Sequence, residues 1–403
     1  MAGQKNRGRS NPTEGQEENQ PGQWARWHGR KRKVADSPPD SRLDTLRRQT
    51  VPYTAMASFR GRRRPSPLLL VVGLALSWQA VARADQNDLN LLNLCLTPDG
   101  ANHCAGGSDT NAQSRYRSMM SELGVVVAPR LMTPADTLGY AGFQFSGELG
   151  VTTINNNRKV SGDPTGIAYW NGIEAVQANN PNAARPSSSL TTVGGFVRKG
   201  LWLPLPAFEF GAGAIDVLGS HMYAMQAYAK IALQEGFHDW VLPSFAVRGS
   251  VSQLLGTDQV NLTVWGIDVL ISKAFSIGGT ARIEPYFGWN VLFISARSGV
   301  IDATPSCDAY AQHLAAPGAA APGTCNPANN GTWNDLNNNF TFPSQDVITR
   351  YRWSVGAKLK LSVLFLTVEG DLIQGGSSHD SNSDVVDNSS TQESFSLSAG
   401  LDF

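Results

Sequence analysis

Apolar and polar residues alternate one for one along ten segments of the chain. The segments cover approximately residues 143–154, 191–202, 207–218, 222–233, 242–252, 259–273, 279–297, 346–359, 361–374 and 391–403. A period of two places successive side chains on opposite faces of a β-strand. The pattern therefore predicts an all-β fold of about ten antiparallel strands, each with one apolar face and one polar face.

The alternation is clearest in residues 346–359. Tyr351 and Trp353 share one face of this segment, and Arg350 and Arg352 lie on the opposite face. Large aromatic side chains on one face and cations on the other indicate two very different environments on the two sides of the predicted sheet.

The connections between these segments differ in length according to their order. The first, seventh and ninth connections are long, at residues 155–190, 298–345 and 375–390, whereas the even-numbered connections are short turns. Long loops at one end and short turns at the other are typical of an up-and-down β-barrel in a membrane. A soluble β-sandwich also has alternating strands, but its loops would not separate by side. A twelve-stranded barrel is the alternative count.

The last predicted strand ends the chain on an aromatic residue. Its apolar face carries Phe395, Leu397, Ala399, Leu401 and Phe403. A C-terminal strand of this form resembles the ending of Gram-negative outer-membrane β-barrel proteins. The resemblance implies a location in outer-membrane lipid. It also implies that Phe395, Leu397, Leu401 and Phe403 form a signal read by the barrel-assembly machinery.

The front of the chain has a different composition. Residues 1–55 are rich in Arg, Lys, Gln, Asn, Pro and Gly, which is typical of a segment that does not fold. From Met56, a basic stretch, an apolar run at 68–78 and an Ala-x-Ala exit ending at Ala84 predict a secretory signal peptide over 56–84. We expect Met56 to be the true start and residues 1–55 to be a mis-annotated extension, with a basic nucleic-acid-binding arm as the alternative.

The net charge changes sign between residues 84 and 85. Residues 1–84 carry 16 Lys/Arg and 6 Asp/Glu, a net of +10, and the remainder carries 17 and 27, a net of −10. The part predicted to be exported is therefore acidic. An acidic chain repels the phosphate backbone, which argues against nucleic acid as a partner.

Four cysteines lie in the exported part as two local pairs. They are Cys95, Cys104, Cys307 and Cys325. An even number of cysteines in an exported chain predicts two disulfides, Cys95–Cys104 and Cys307–Cys325. His103 is next to Cys104, but no second His or Cys lies at ligand spacing and the two pairs are far apart, so no metal or other cofactor is predicted.

Residues 85–142 precede the first predicted strand. The apolar spacing up to Val127 is partly helical, and Thr133 and Pro134 have the order of a helix start. The sequence predicts a short helical plug that enters the barrel from the periplasm or covers its base. A flexible periplasmic tail and an extra strand at 122–129 are the alternatives.

If the apolar faces meet lipid, the polar faces point into the barrel. The candidate lumen charges are Glu148, Glu209, Lys230, Arg248, Arg282, Glu284, Arg350, Arg352, Lys358, Glu369 and Asp371. The bore of a ten-stranded barrel is small, so we expect these charges to pair and fill it. Arg350 and Arg352 would pair with Glu369 or Asp371 on the adjacent strand. The functional alternative is a charged constriction that selects small solutes.

Motifs for catalysis are weak. No Gly-rich phosphate loop and no Ser-centred elbow occur, and His221 near Asp216 matches no motif of the omptin proteases. The sequence therefore predicts no enzyme. Two classes of function remain. One is a narrow channel or carrier for small solutes or apolar ligands. The other is a structural or surface-interaction barrel with a closed lumen, whose long extracellular loops bind partners.

Overall fold

The structure is a computed structural model. It describes residues 85–95, 109–174, 186–202, 207–235, 242–302, 339–381 and 383–403. The extension at 1–55, the predicted signal peptide at 56–84, and Cys104, Cys307 and Cys325 lie outside the described residues.

Ten long strands form the wall of the molecule. They are β1 Phe143–Thr153, β2 Ser189–Leu201, β3 Phe208–Val217, β4 Tyr223–Gln234, β5 Ser244–Leu255, β6 Val260–Ser272, β7 Ala281–Ser298, β8 Ile348–Leu361, β9 Leu364–Ile373 and β10 Gln392–Asp402. Each lies within about three residues of a segment predicted from alternation. The three-residue strand Phe275–Ile277 also pairs with β7, and Ile301–Asp302 pairs with Asn339–Phe340. The ten-strand prediction is confirmed, and the twelve-strand alternative is wrong.

The wall closes between the first and last long strands. Every long strand is antiparallel to its neighbour in sequence, and β1 pairs with β10 from Gln144↔Asp402 to Thr152↔Ser394. Phe143 and Phe403 exchange two backbone hydrogen bonds, at 3.0 and 2.8 Å. The sheet is therefore a closed barrel, and its seam extends to the last residue of the chain.

The apolar faces of the strands point outwards. Tyr351 and Trp353 are 43 and 45% exposed, whereas Arg350 and Arg352 on the same strand are buried on the inside. Phe395 and Phe403 of the predicted assembly signal are also exposed on the outer face. An apolar exterior around a polar interior is stable in lipid rather than in water.

The long connections meet at one end of the barrel, here called the loop end. They are β1–β2 at 154–188, β7–β8 at 299–347 and β9–β10 at 374–391, and the short β3–β4 and β5–β6 connections lie at the same end. The other four connections are all short and lie at the opposite end, the turn end. In an outer membrane the loop end is extracellular and the turn end is periplasmic.

One α-helix, α1 (Thr110–Val127), lies inside the barrel. Asp109 caps its start by accepting a hydrogen bond from the Asn111 N–H at 2.9 Å, and every residue from 114 to 127 is buried. Two short 3₁₀ helices, Leu91–Leu94 and Tyr169–Asn171, lie near it. No helix among the described residues is long and apolar enough to cross a membrane. The alternative of an extra strand at 122–129 is wrong.

The segment before α1 lies at the loop end. The Asn87 N–H donates to the Gly219 carbonyl in the β3–β4 connection at 2.9 Å, and the Leu91 N–H donates to the Gln259 side chain in the β5–β6 connection at 2.7 Å. The chain therefore enters the lumen from the loop end and runs to the turn end, where β1 begins. This corrects the expectation of a periplasmic segment at 85–142. Helical periodicity specifies a buried face, but it does not specify the end of the barrel from which that face enters.

Candidate functional site in the barrel lumen

All eleven candidate lumen charges lie on the inner face of the wall. Ten are buried, and Arg282 is half-buried near the turn end. Buried charges are costly unless they have partners. The partners come from the wall and from a plug, defined here as α1 together with residues 128–138.

Residues 128–138 have no regular secondary structure, and the wall supplies partners for their backbone. Glu369 accepts hydrogen bonds from the backbone N–H groups of Leu131 and Met132 at 3.1 and 2.6 Å, and from the Tyr286 hydroxyl at 2.6 Å. A segment that is neither helix nor strand has unpaired N–H and C=O groups, which must find partners when buried. Glu369 thus holds the middle of the plug.

Cations hold the carbonyl groups of the same segment. Lys230 donates to the carbonyls of Pro134 and Asp136 at 3.0 and 2.9 Å. Arg248 donates to the carbonyl of Arg130 at 2.8 Å, and Arg352 to that of Pro129 at 2.7 Å. The wall therefore supplies a carboxylate that accepts hydrogen bonds from N–H groups of the plug, and cations that donate to its carbonyls.

The expected pairing of Arg350 and Arg352 with Glu369 or Asp371 is wrong. Register is the reason: β8 and β9 place Ser354 opposite Asp371 and Arg352 opposite Ile373. Asp371 accepts a hydrogen bond from the Ser354 hydroxyl at 2.5 Å. Arg352 instead lies 3.7 Å from Asp268 of β6.

Other ion pairs join neighbouring strands. They are Arg198–Glu148 at 2.5 Å, Arg248–Asp268 at 2.8 Å and Lys230–Glu209 at 3.2 Å. Lys358 of β8 reaches past β9 to Asp402 of β10, at 2.7 Å. Arg198 and Asp268 are lumen charges that the sequence analysis missed. Both follow the inward phase of their strands, so a strict application of alternation to β2 and β6 would have found them.

Glu122 of α1 joins the plug to two long connections. Its carboxylate accepts hydrogen bonds from the Trp170 indole at 2.6 Å, the Tyr169 hydroxyl, and the backbone N–H and hydroxyl of Ser390 at 2.8 Å each. The Asn155 N–H donates to it at 3.3 Å. One buried carboxylate thereby fixes the β1–β2 and β9–β10 connections to the helix.

A second network of hydrogen bonds and ion pairs next to Glu122 also joins α1 to the long connections. Ser121 donates to Asp387 at 2.8 Å and accepts from Arg350 at 2.8 Å. Arg115 pairs with Asp163 at 2.5 Å. The sequence analysis missed these plug residues because no pattern in the sequence places a helix inside the strands that follow it.

His221 contacts Asp88, not Asp216. The Nδ1 of His221 lies 2.7 Å from the Asp88 carboxylate, which also accepts from the His221 N–H at 2.6 Å. The hydrogen bond to Asp88 and the charge of that carboxylate raise the pKa of His221 above its usual range. Asp216 lies on the outward face of β3. The pair therefore tethers the segment before α1 to the β3–β4 connection.

Cys95 is buried and forms a disulfide. Its partner lies outside the described residues, so the pairing with Cys104 stays a prediction. No group of three or more potential metal-binding side chains occurs among the described residues.

A polar cavity of about 160 Å³ remains between the plug and the turn end. Its lining includes Asp136, Arg282, Glu284, Lys358 and Lys360. Its lining contains both cations and carboxylates, so it suits water or a small polar solute.

Solved structures show weak similarity to this chain. The attachment invasion locus protein Ail of Yersinia pestis, in complex with the heparin analogue sucrose octasulfate, is 6% identical with a TM-score of 0.22, covering 66% of this chain and 99% of that chain. The outer membrane protein OprG of Pseudomonas aeruginosa is 8% identical with a TM-score of 0.24, covering 67% and 99%. The outer membrane protein Omp33 of Acinetobacter baumannii is 7% identical with a TM-score of 0.21, covering 65% and 99%.

The sequence matches no protein-family model and no curated protein. At these TM-scores no residue role is transferred from the solved structures. The closed ten-stranded wall, the apolar exterior and the charged interior are together the architecture of an outer-membrane β-barrel, the class that the C-terminal strand predicts.

Proposed function

We propose that this protein is a closed outer-membrane barrel that acts through its extracellular surface rather than as an open pore. The observation that carries the proposal is the burial of α1 in the lumen from residue 114 to residue 127. A ten-stranded barrel has a narrow bore, and a helix of about 10 Å diameter with its side chains fills most of it.

The same contacts support a role for the loop end. Glu122, Ser121 and Arg115 bind the long connections through buried, charge-assisted hydrogen bonds. Such bonds are stronger than neutral ones and fix geometry. The helix is therefore a scaffold for the extracellular surface, and a pre-ordered surface binds a partner at a lower entropic cost than a mobile one.

Planar-bilayer conductance of the mature chain tests the closed lumen. We expect no stepwise currents. Gly124→Leu should open the pore, because a Cβ at Gly124 would lie 2.7 Å from the Ile294 side chain on the wall and would displace the helix. The matched control is Gly147→Leu, since a Cβ at this outward-facing glycine meets nothing within 4 Å. Stepwise currents from the unmodified protein would reject the proposal.

The surface role needs a separate measurement. The protein in lipid nanodiscs would be screened against glycans and extracellular proteins, with a variant in which the exposed residues Lys159, Ser161 and Pro164 of the β1–β2 connection are replaced by Gly or Ser and Asp163 is kept. We expect a ligand whose binding is lost in this variant. Absence of any ligand at the loop end would contradict the surface role and leave the closed lumen intact.

A narrow carrier for small polar solutes is the second candidate, favoured by the polar cavity at the turn end. Its lining residues Lys358 and Lys360 both donate to Asp402, at 2.7 and 2.9 Å. Liposome-swelling assays with small sugars and amino acids test it. A permeability that falls in Lys360→Gln, with unchanged folding, would favour the carrier over the closed barrel.

A further inference from the structure

An apolar groove of about 460 Å³ crosses the outer face of β3 to β7. Gly249 and Val251 lie at its floor, and Trp265, Ile267 and Phe293 border it. A Cβ at Gly249 would meet nothing within 4 Å, so no contact inside this chain requires glycine there. Glycine weakens a strand and often marks a close approach by another molecule.

A polar pocket of about 550 Å³ lies on the same strands, nearer the loop end. Its lining includes Gln253, Asn261 and Arg297. Arg297 is exposed, and no carboxylate of the described residues lies within 4 Å of its guanidinium. Of the described strand residues that face outwards near the loop end, Arg297 is the cation, whereas Asp216 and Glu393 are acidic.

The strand register aligns the pocket with the groove. Asn261 is opposite Arg297, and Trp265 is opposite Phe293. Four residues separate Arg297 from Phe293, which is about 13 Å along a strand and about 10 Å in depth at the usual tilt of a barrel strand. One leaflet of the hydrocarbon core is about 15 Å deep. A cation therefore lies above an apolar groove at the spacing between the head and the chain of a lipid.

We propose that this face binds one anionic lipid, with its phosphate at Arg297 and an acyl chain in the groove at Gly249. Arg suits phosphate because its planar guanidinium donates two parallel hydrogen bonds. Gln253 and Asn261 provide further polar groups at the level of the head. Trp265 lies just below them, at the depth where aromatic rings border the interface.

Asp258 lines the same pocket and opposes this binding through its charge. It is exposed and therefore well screened. This charge repulsion supplies a second test, because neutralising Asp258 should strengthen the binding of an anionic head.

Native mass spectrometry of the full mature protein measures retained lipid, with phosphatidylglycerol as the probe and phosphatidylcholine as the neutral reference. We expect Arg297→Gln to weaken phosphatidylglycerol binding about five-fold, since one basic residue near an anionic surface contributes about 1 kcal/mol. Gly249→Leu should weaken it by filling the groove. Asp258→Asn should strengthen it.

The controls are Lys199→Gln, an outward cation near the turn end, and Gly147→Leu, an outward glycine on β1. Both should bind phosphatidylglycerol like the unmodified protein, and heat-modifiable gel mobility would verify that each variant is folded. Equal retention of the two lipids by the unmodified protein, or equal losses in the controls, would mean general lipid contact and overturn the proposal.

Discussion

The two halves of the plug are held in opposite ways. In α1 the backbone satisfies its own hydrogen bonds, so the helix contacts its surroundings through side chains such as Glu122. Residues 128–138 have no helix, so the wall reaches their backbone through Glu369 and Lys230. The difference teaches that charges inside a small barrel serve whichever groups lack partners.

The largest effect should come from the helical half. Glu122→Ala would remove the common acceptor of five donors from two connections, and we expect a loss of about 4 kcal/mol in the free energy of unfolding. Urea unfolding in detergent micelles measures it. Limited proteolysis should also cut the β9–β10 connection faster. Unchanged proteolysis together with unchanged stability would show that α1 does not order the loop end.

The non-helical half of the plug should respond to the loss of the Glu369 carboxylate. Glu369→Ala leaves the buried N–H groups of Leu131 and Met132 unpaired, and we expect a loss of about 3 kcal/mol. Glu369→Gln retains one acceptor oxygen and should lose about half as much. Hydrogen exchange at 128–138 should increase in both variants while exchange in α1 stays slow. Faster exchange throughout the helix would contradict the separation of the two halves.

Two double-mutant cycles test which charged side chains of the wall interact directly. Arg248 and Asp268 form a direct buried pair at 2.8 Å, so their losses should be non-additive by about 2 kcal/mol. Arg350 and Glu369 share no partner atom, and their losses should add to within about 0.5 kcal/mol. Strong coupling between Arg350 and Glu369 would instead support the pairing expected from the sequence.

The smallest effect concerns the tether before α1. The raised pKa of His221 means that its pair with Asp88 stabilises the tether fully below the unfolded-state pKa, about 6.5, and that this contribution is lost as the pH rises through the folded-state pKa. Asp85 and Glu174 act in the same direction. The protection of the amides at 85–95, taken relative to their intrinsic exchange rate at each pH, should therefore be greater at low pH. The same pH dependence in His221→Gln would exclude His221 as its source.

Alternation alone predicted most of the wall because a barrel strand has two solvents, lipid outside and a polar lumen inside. Tyr351 and Arg352 are neighbours in sequence but face lipid and lumen respectively for that reason. The phase of the alternation in each strand likewise predicted the inward positions of all eleven candidate charges. The pairing of those charges could not be predicted in the same way. A shift of register by two residues changes every cross-strand partner without changing any face.

The sequence by itself determined the strand count, the outward face of each strand and the segregation of long connections, because each depends on local period and segment length. Tertiary structure decided that the chain enters the lumen from the loop end, that Glu369 binds the Met132 N–H and not Arg352, and that Glu122 orders two connections. These contacts join residues far apart in sequence, and many alternative partners have the same local pattern. The choice among them depends on which buried donors and acceptors remain unpaired once the barrel has closed around its own N-terminal segment.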